Sequence, residues 1–120
     1  MPLVEVRYKG DRVSGGHIRN LVRNVLPLEV AKALHIEEHS DAHLVPGDIE
    51  VWVNTTGGFD VQAQDVAIVI HATDFEPRRA RLKVATAQVA AAVKEALPLG
   101  LTGYVWILLS PAEFVEFGKK

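Results

Sequence analysis

The stretch Asp65-Val66-Ala67-Ile68-Val69-Ile70-His71-Ala72 is almost continuously apolar and rich in β-branched residues. Such a run reads as a central strand of a sheet. A helix entry follows at Asp74 to Pro77. Leu82, Ala85, Val89, Val93 and Ala96 then recur at helical spacing and predict an apolar stripe running to about Leu97. The helix is rich in alanine, which lets it pack closely on a sheet. Pro98 and Gly100 stop it, and Gly103 to Leu109 reads as a further strand with a short amphipathic tail behind it. This half of the chain is strand–helix–strand.

The first half repeats the pattern. Val4, Val6 and Tyr8 alternate with Leu3, Glu5 and Arg7, the period of a half-buried strand. Gly10-Asp11 breaks it and Ser14 offers a helix N-cap, with Gly15-Gly16 a weak first turn. Ile18, Leu21, Val22 and Val25 predict a helix that Pro27 should end or kink near Leu26. Leu28, Val30, Ala33 and Leu34 continue its apolar face. The polar stretch His35 to Asp48 carries three histidines and the turn pair Pro46-Gly47. Asp48 to Asn54 reads as a strand with Ile49, Val51 and Val53 on one face, and Gly57-Gly58 as a hairpin or loop.

The halves are related by position as well as by pattern. Val4 and Val6 match Ile68 and Ile70 at an offset of 64, while Ile49-Glu50-Val51 matches Val105-Trp106-Ile107 at an offset of 56. The first crossover is then about eight residues longer, a surplus that fits the His-rich stretch. A strand–helix–strand unit pairs its strands in parallel with a right-handed crossover. The expected fold is α+β, in two layers. Duplicated β-α-β units form a four-stranded sheet with two helices on one face, in a single domain over residues 1–120 with halves of about 1–60 and 61–120. The other sheet face, with Leu3 and Trp52, is left bare, so self-association is expected.

Composition narrows the function. The chain has 120 residues, 48% hydrophobic and 23% charged, the balance of an ordinary globular domain rather than a disordered one. Net charge is −2, which leaves no basic excess for nucleic acid. With no cysteine, thiolate nucleophiles, disulfides and Cys-ligated metals are excluded. No apolar run reaches membrane-spanning length and the N-terminus lacks a signal-peptide pattern, so a cytoplasmic protein is the expectation.

Met1-Pro2 leading straight into a strand, in a doubled strand–helix–strand chain of this length, resembles the tautomerase superfamily. The resemblance covers essentially the whole chain. Gly10-Asp11-Arg12-Val13-Ser14 places Arg12 where 4-oxalocrotonate-type members carry an arginine after the first strand. The closing segment from Tyr104 to Gly118 is similar to that of the cis-3-chloroacrylic acid dehalogenase group, with Glu116 in the setting Val115-Glu116-Phe117-Gly118. At the second-strand position where 4-oxalocrotonate tautomerase has a substrate-binding arginine, this chain has Glu50 in one half and Trp106 in the other. The resemblance implies a tautomerase acting on a small 2-oxo or dicarboxylic acid, with Pro2 as base, Arg12 binding carboxylate and a homotrimeric assembly. It also allows two alternatives: a non-catalytic trimeric module with Met1 retained, or a hydrolytic, dehalogenase-like enzyme in which Glu116 activates water and protonated Pro2 serves as acid.

Physical chemistry sets out what these residues offer. A free Pro2 would expose a secondary amine, and burial would disfavour its cation, making it a base near neutral pH. Read as an ordinary second residue, it does nothing. Arg12 is either a solvated turn residue or a two-pronged carboxylate clamp. Arg78 and Arg79 open a basic run that serves either as a solvated helix start or as an anion clamp. His71 is a hydrogen-bonded strand-end histidine or a substrate ligand. Trp106, like Trp52, fits packing or a substrate wall. His35-Ile36-Glu37-Glu38-His39 spells H-x-x-E-H, with His43 four residues on. That spacing is common by chance, and the segment reads as a solvated loop; no metal and no cofactor is expected.

Overall fold

The computed structural model describes residues 1–118. β1 (Leu3–Tyr8) buries Val4 and Val6 and turns Leu3, Glu5 and Arg7 to the other side, as its alternation requires. A helical run follows: α1 (Gly15–Asn20), a π-helical turn (Leu21–Val25) and α2 (Leu26–Leu34). Ser14 caps it by accepting the His17 N–H. The helix does not end at Pro27. Proline removes one backbone donor, and the chain widens by one residue just before it, with the Leu26 N–H reaching back to the Leu21 carbonyl. The helix thus absorbs the proline and continues to Leu34.

β2 (Glu50–Thr55), β3 (Val66–Thr73) and β4 (Gly103–Ser110) complete the sheet. The second helix is split at Arg81 into α3 (Glu76–Ala80) and α4 (Leu82–Ala96). Gly100, at φ 91°, makes the turn into β4, a conformation that favours glycine. The residues after Ser110 form no regular element up to Gly118.

The strand order is β2-β1-β3-β4, with β1/β2 and β3/β4 parallel and β1/β3 antiparallel. Each half is therefore a parallel β-α-β unit, and both helices lie on one face. The segment around Gly57-Gly58 is not a hairpin, because β1 lies between β2 and β3 and the loop must cross it. Leu3 pairs with Glu50 and Val66 with Gly103, separations of 47 and 37 residues, so the first crossover is ten residues longer rather than eight. With Leu3 and Ala67 equivalent at an offset of 64, Glu50 corresponds to Tyr104 and Trp52 to Trp106, an offset of 54.

The core lies between the helices and one sheet face. Val4, Val6, Val66, Ile68 and Ile70 meet Leu21, Leu26, Val30, Leu34 and Val89, all at most 1% exposed. Each such side chain contributes about 1.5–3 kcal/mol of burial. Val53, on the same side as Val51, stays 39% exposed because β2 is an edge strand. On the opposite face Trp52, Glu5, Val69 and Trp106 form one row straight across all four strands. Both tryptophans are more than half exposed.

Candidate active site

β1 is antiparallel to β3 and parallel to β2, so Pro2, the start of β2 and the ends of β3 and β4 share one end of the sheet. Pro2 fits there because a strand's first position needs no ladder donor. Its carbonyl accepts the Glu50 N–H at 3.2 Å and its ring is buried, while Met1 stays exposed. The C-terminus of α2, the loop of residues 35–48 and α3 surround this same end.

Arg78 is the buried cation of this region. Its Nε donates to the Leu34 carbonyl and its Nη1 to the Thr73 carbonyl, both at 3.0 Å, and its guanidinium lies 5.0 Å from the centre of the Phe75 ring. Burial lowers its pKa from the arginine value, yet an arginine stays charged. No carboxylate among the described side chains pairs with it. The carbonyls lie at the negative end of α2 and at the end of β3, and they compensate the charge only in part. Arg79 is exposed and donates to Asp74 at 2.7 Å. A cavity of about 230 Å³ opens beside them, lined by Ala33, His35, Ile36, Pro77, Arg78 and Arg81 among others.

His71, paired with Leu3 across the strands, sits on the open face and bonds Glu5 Oε2 through Nε2 at 2.7 Å. Trp106 lies on that face too, two strands from β1. Glu116 lies on the exposed tail behind β4; that tail leaves the sheet at the Pro2 end, where Asp74 N–H bonds the Ser110 carbonyl.

Arg12 is elsewhere. β1 has six residues, about 20 Å of strand, and Arg12 follows its far end. There its Nε donates to Asp65 Oδ1 at 3.2 Å. Asp65 is 6% exposed and also accepts the Thr102 N–H at 3.0 Å and the Thr102 hydroxyl at 3.3 Å. Within one chain, then, Arg12 does not reach Pro2. The Thr102 backbone bond, and after it Arg12, hold the Asp65 carboxyl below its ordinary value of 3.8. A group lowered on folding stabilises fully above its unfolded pKa, and that contribution fades as pH falls through the folded one. Asp65→Asn is therefore expected to lower the Tm at pH 7, and the gap to wild type should close as pH is taken down through the carboxylate range. Thermal melts over that range check it.

Several solved structures share this fold. A fused 4-OT, solved as an asymmetric trimer, superposes with a TM-score of 0.67 at 13% identity, over 98% of this chain and 94% of that one. Malonate semialdehyde decarboxylase does so at 0.66 and 12% identity, over 98% and 91%. MIF2 of Leishmania major gives 0.57 and 14%, over 92% and 89%. The fold is that of the tautomerase superfamily. No family model and no curated protein matches the chain.

Against the tautomerase fold, the residues around Pro2 group as follows. Pro2, Arg78, Arg79 and His71 share one end, Trp106 lies two strands away on the open face, and Arg12 stands apart. A larger cavity, about 500 Å³, lies at the far end between the end of α4 and the starts of β3 and β4. It holds Val66 where the repeat would place a second Pro2, so its size does not make it the place for amine chemistry. Sequence reasoning missed Asp65, Phe75 and Glu5, the partners of Arg12, Arg78 and His71. Only their charge or aromatic character was visible, and Asp65 stands 53 residues from Arg12. Among the described residues, no helix is long and apolar enough to cross a membrane.

Proposed function

We propose that this chain is a tautomerase-type isomerase of small 2-oxo or dicarboxylic acids, with the nitrogen of Pro2, freed by removal of Met1, as its base. The observation that carries the reading is the burial of Pro2 at the head of β1, at the end of a tautomerase-fold sheet that also holds the partly compensated cation of Arg78. A buried secondary amine favours its neutral form, which is the form that takes a proton from carbon next to a carbonyl. Arg78 and Arg79 supply positive charge for the substrate carboxylate. His71 and Trp106 sit where substrate or a neighbouring copy would meet the open face. Arg12 takes part in such a site only when a second copy brings it. Glu116 has a role in this reading where water is added rather than a proton moved.

One solved neighbour, Pt0534, is inactivated by 2-oxo-3-pentynoate. The same reagent tests this chain. A free Pro2 nitrogen adds to the alkyne: a nitrogen–carbon bond forms, one carbon–carbon π bond breaks, and the whole reagent mass stays on the protein. Peptide mass spectrometry of processed protein should place the adduct on Pro2. Labelling elsewhere, or none, would sink the reading.

The same proposal includes a homotrimer, the state of the fused 4-OT neighbours. Trp52 and Trp106, at 51% and 57% exposure, share one row with Glu5 and Val69, and Leu3 lies on the same face; a partner would cover this largely apolar surface. Light scattering should give three times the chain mass. The double variant Trp52→Glu with Trp106→Glu should give a smaller species with its far-UV spectrum unchanged, since neither side chain is in the core.

A further inference from the structure

The histidine loop does not use the spacing that its sequence advertises. Ile36 and Ala42 are buried, at 5% and 0% exposure, and the Ile36 N–H bonds the Ala42 carbonyl at 3.0 Å. This pins two points of the loop together. Their chain neighbours His35, Glu37 and His43 are thereby brought to the same place. His39 goes elsewhere and stacks on Phe75, ring centres 5.0 Å apart. The rings of His35 and His43 stack on each other at 5.0 Å. Nε2 of His35 lies 2.8 Å from Glu37 Oε2, and Nε2 of His43 lies 2.7 Å from the Glu37 carbonyl oxygen.

We propose that His35, Glu37 and His43 form a binding site for a divalent transition-metal ion of the zinc type, with a fourth position open to water. One ligand atom from each residue lies within 4.8 Å of the others. A tetrahedral ion about 2.1 Å from each ligand needs separations of roughly 3.4 Å, so side-chain rotation alone closes the set. Two imidazoles and one carboxylate, with no thiolate in the chain, suit zinc and its neighbours rather than calcium or magnesium. The open position follows from the count of three ligands on an exposed loop.

The proton arrangement makes the site readable. The Leu44 N–H donates to Nδ1 of His35 at 2.9 Å, so the neutral ring carries its proton on Nε2. Coordination through Nε2 moves that proton to Nδ1 through solvent, without net release. Nδ1 then no longer accepts from Leu44, and the Leu44 amide is released. Metal binding therefore exchanges two hydrogen bonds of the His35 ring, to Leu44 and to Glu37, for a coordinate bond.

The test is titration of the full chain with zinc chloride alone, followed by calorimetry and by amide NMR. The expected result is one ion per chain and a large shift of the Leu44 amide. Glu37→Gln and His43→Ala, both at exposed positions, should each weaken binding at least about tenfold. His39→Ala should bind as wild type, because its ring is on Phe75. Absence of saturable binding up to about 1 mM zinc overturns the proposal. So does binding that His43→Ala leaves unchanged, or that His39→Ala weakens as much as His43→Ala does. A Leu44 amide that does not move on saturation overturns the assignment of His35 Nε2 as ligand.

Discussion

An N-terminal extension that keeps Pro2 in an amide bond is expected to abolish ketonisation of a simple enol acid such as phenylenolpyruvate, with the fold unchanged. An amide nitrogen has no basic lone pair, and a positioned general base is worth about 10²–10⁴ in rate. The processed chain should show activity that falls as pH drops through the pKa of the Pro2 amine, because the protonated amine cannot take a proton. Pro2→Ala leaves a primary amine without the ring that holds it against β1, and should lose much of the rate while keeping its far-UV spectrum. Steady-state rates of the extended, processed and Pro2→Ala proteins decide it. An extended protein as fast as the processed one would remove Pro2 from the mechanism. The non-catalytic trimeric module would then be the better account.

A second large effect is expected at Gly103. A Cβ there would stand 2.7 Å from the Val66 carbonyl oxygen, closer than such contacts occur, and the obstacle is backbone. Gly103 is also the residue that pairs with Val66 at the start of the β3/β4 ladder. Any side chain must push the two central-to-edge strands apart or break the first pairing. Gly103→Val should destabilise by about 3 kcal/mol, the upper part of the overpacking range. For a chain of this length that is roughly a 10 °C fall in Tm. Gly47→Val, in open space on the His-rich loop, is the control and should change the Tm little. Thermal melts showing equal losses at both positions would contradict the argument.

The two sites show how far local sequence reaches. β3 was legible because five of its eight residues are buried and its apolar run is local. β1 was legible because Val4 and Val6 alternate with half-exposed and exposed partners. The offset of the second strands was read as 56 and is 54, yet the faces came out right. A slip of two residues returns every side chain to the same face, so periodicity cannot detect it. At Pro27 the sequence left an end or a kink open, and of the two the end did not occur: the preceding turn widens, which local periodicity does not record. In the histidine loop the i, i+4 pair of His35 and His39 suggested one grouping. Two buried neighbours, Ile36 and Ala42, produced another.

The sequence by itself determined which residues face the core, because burial on a strand or helix repeats with the backbone's own period. It determined the two β-α-β units, their single sheet and the bare face carrying Trp52. Only the tertiary structure decided which charged groups meet. Arg12 went to Asp65 at the far end of β1, Arg78 went to the Leu34 and Thr73 carbonyls at the end of the sheet where Pro2 lies, and His71 went to Glu5. Those pairings depend on strand register and crossover length, set by contacts between residues up to 66 positions apart, and no local period records them.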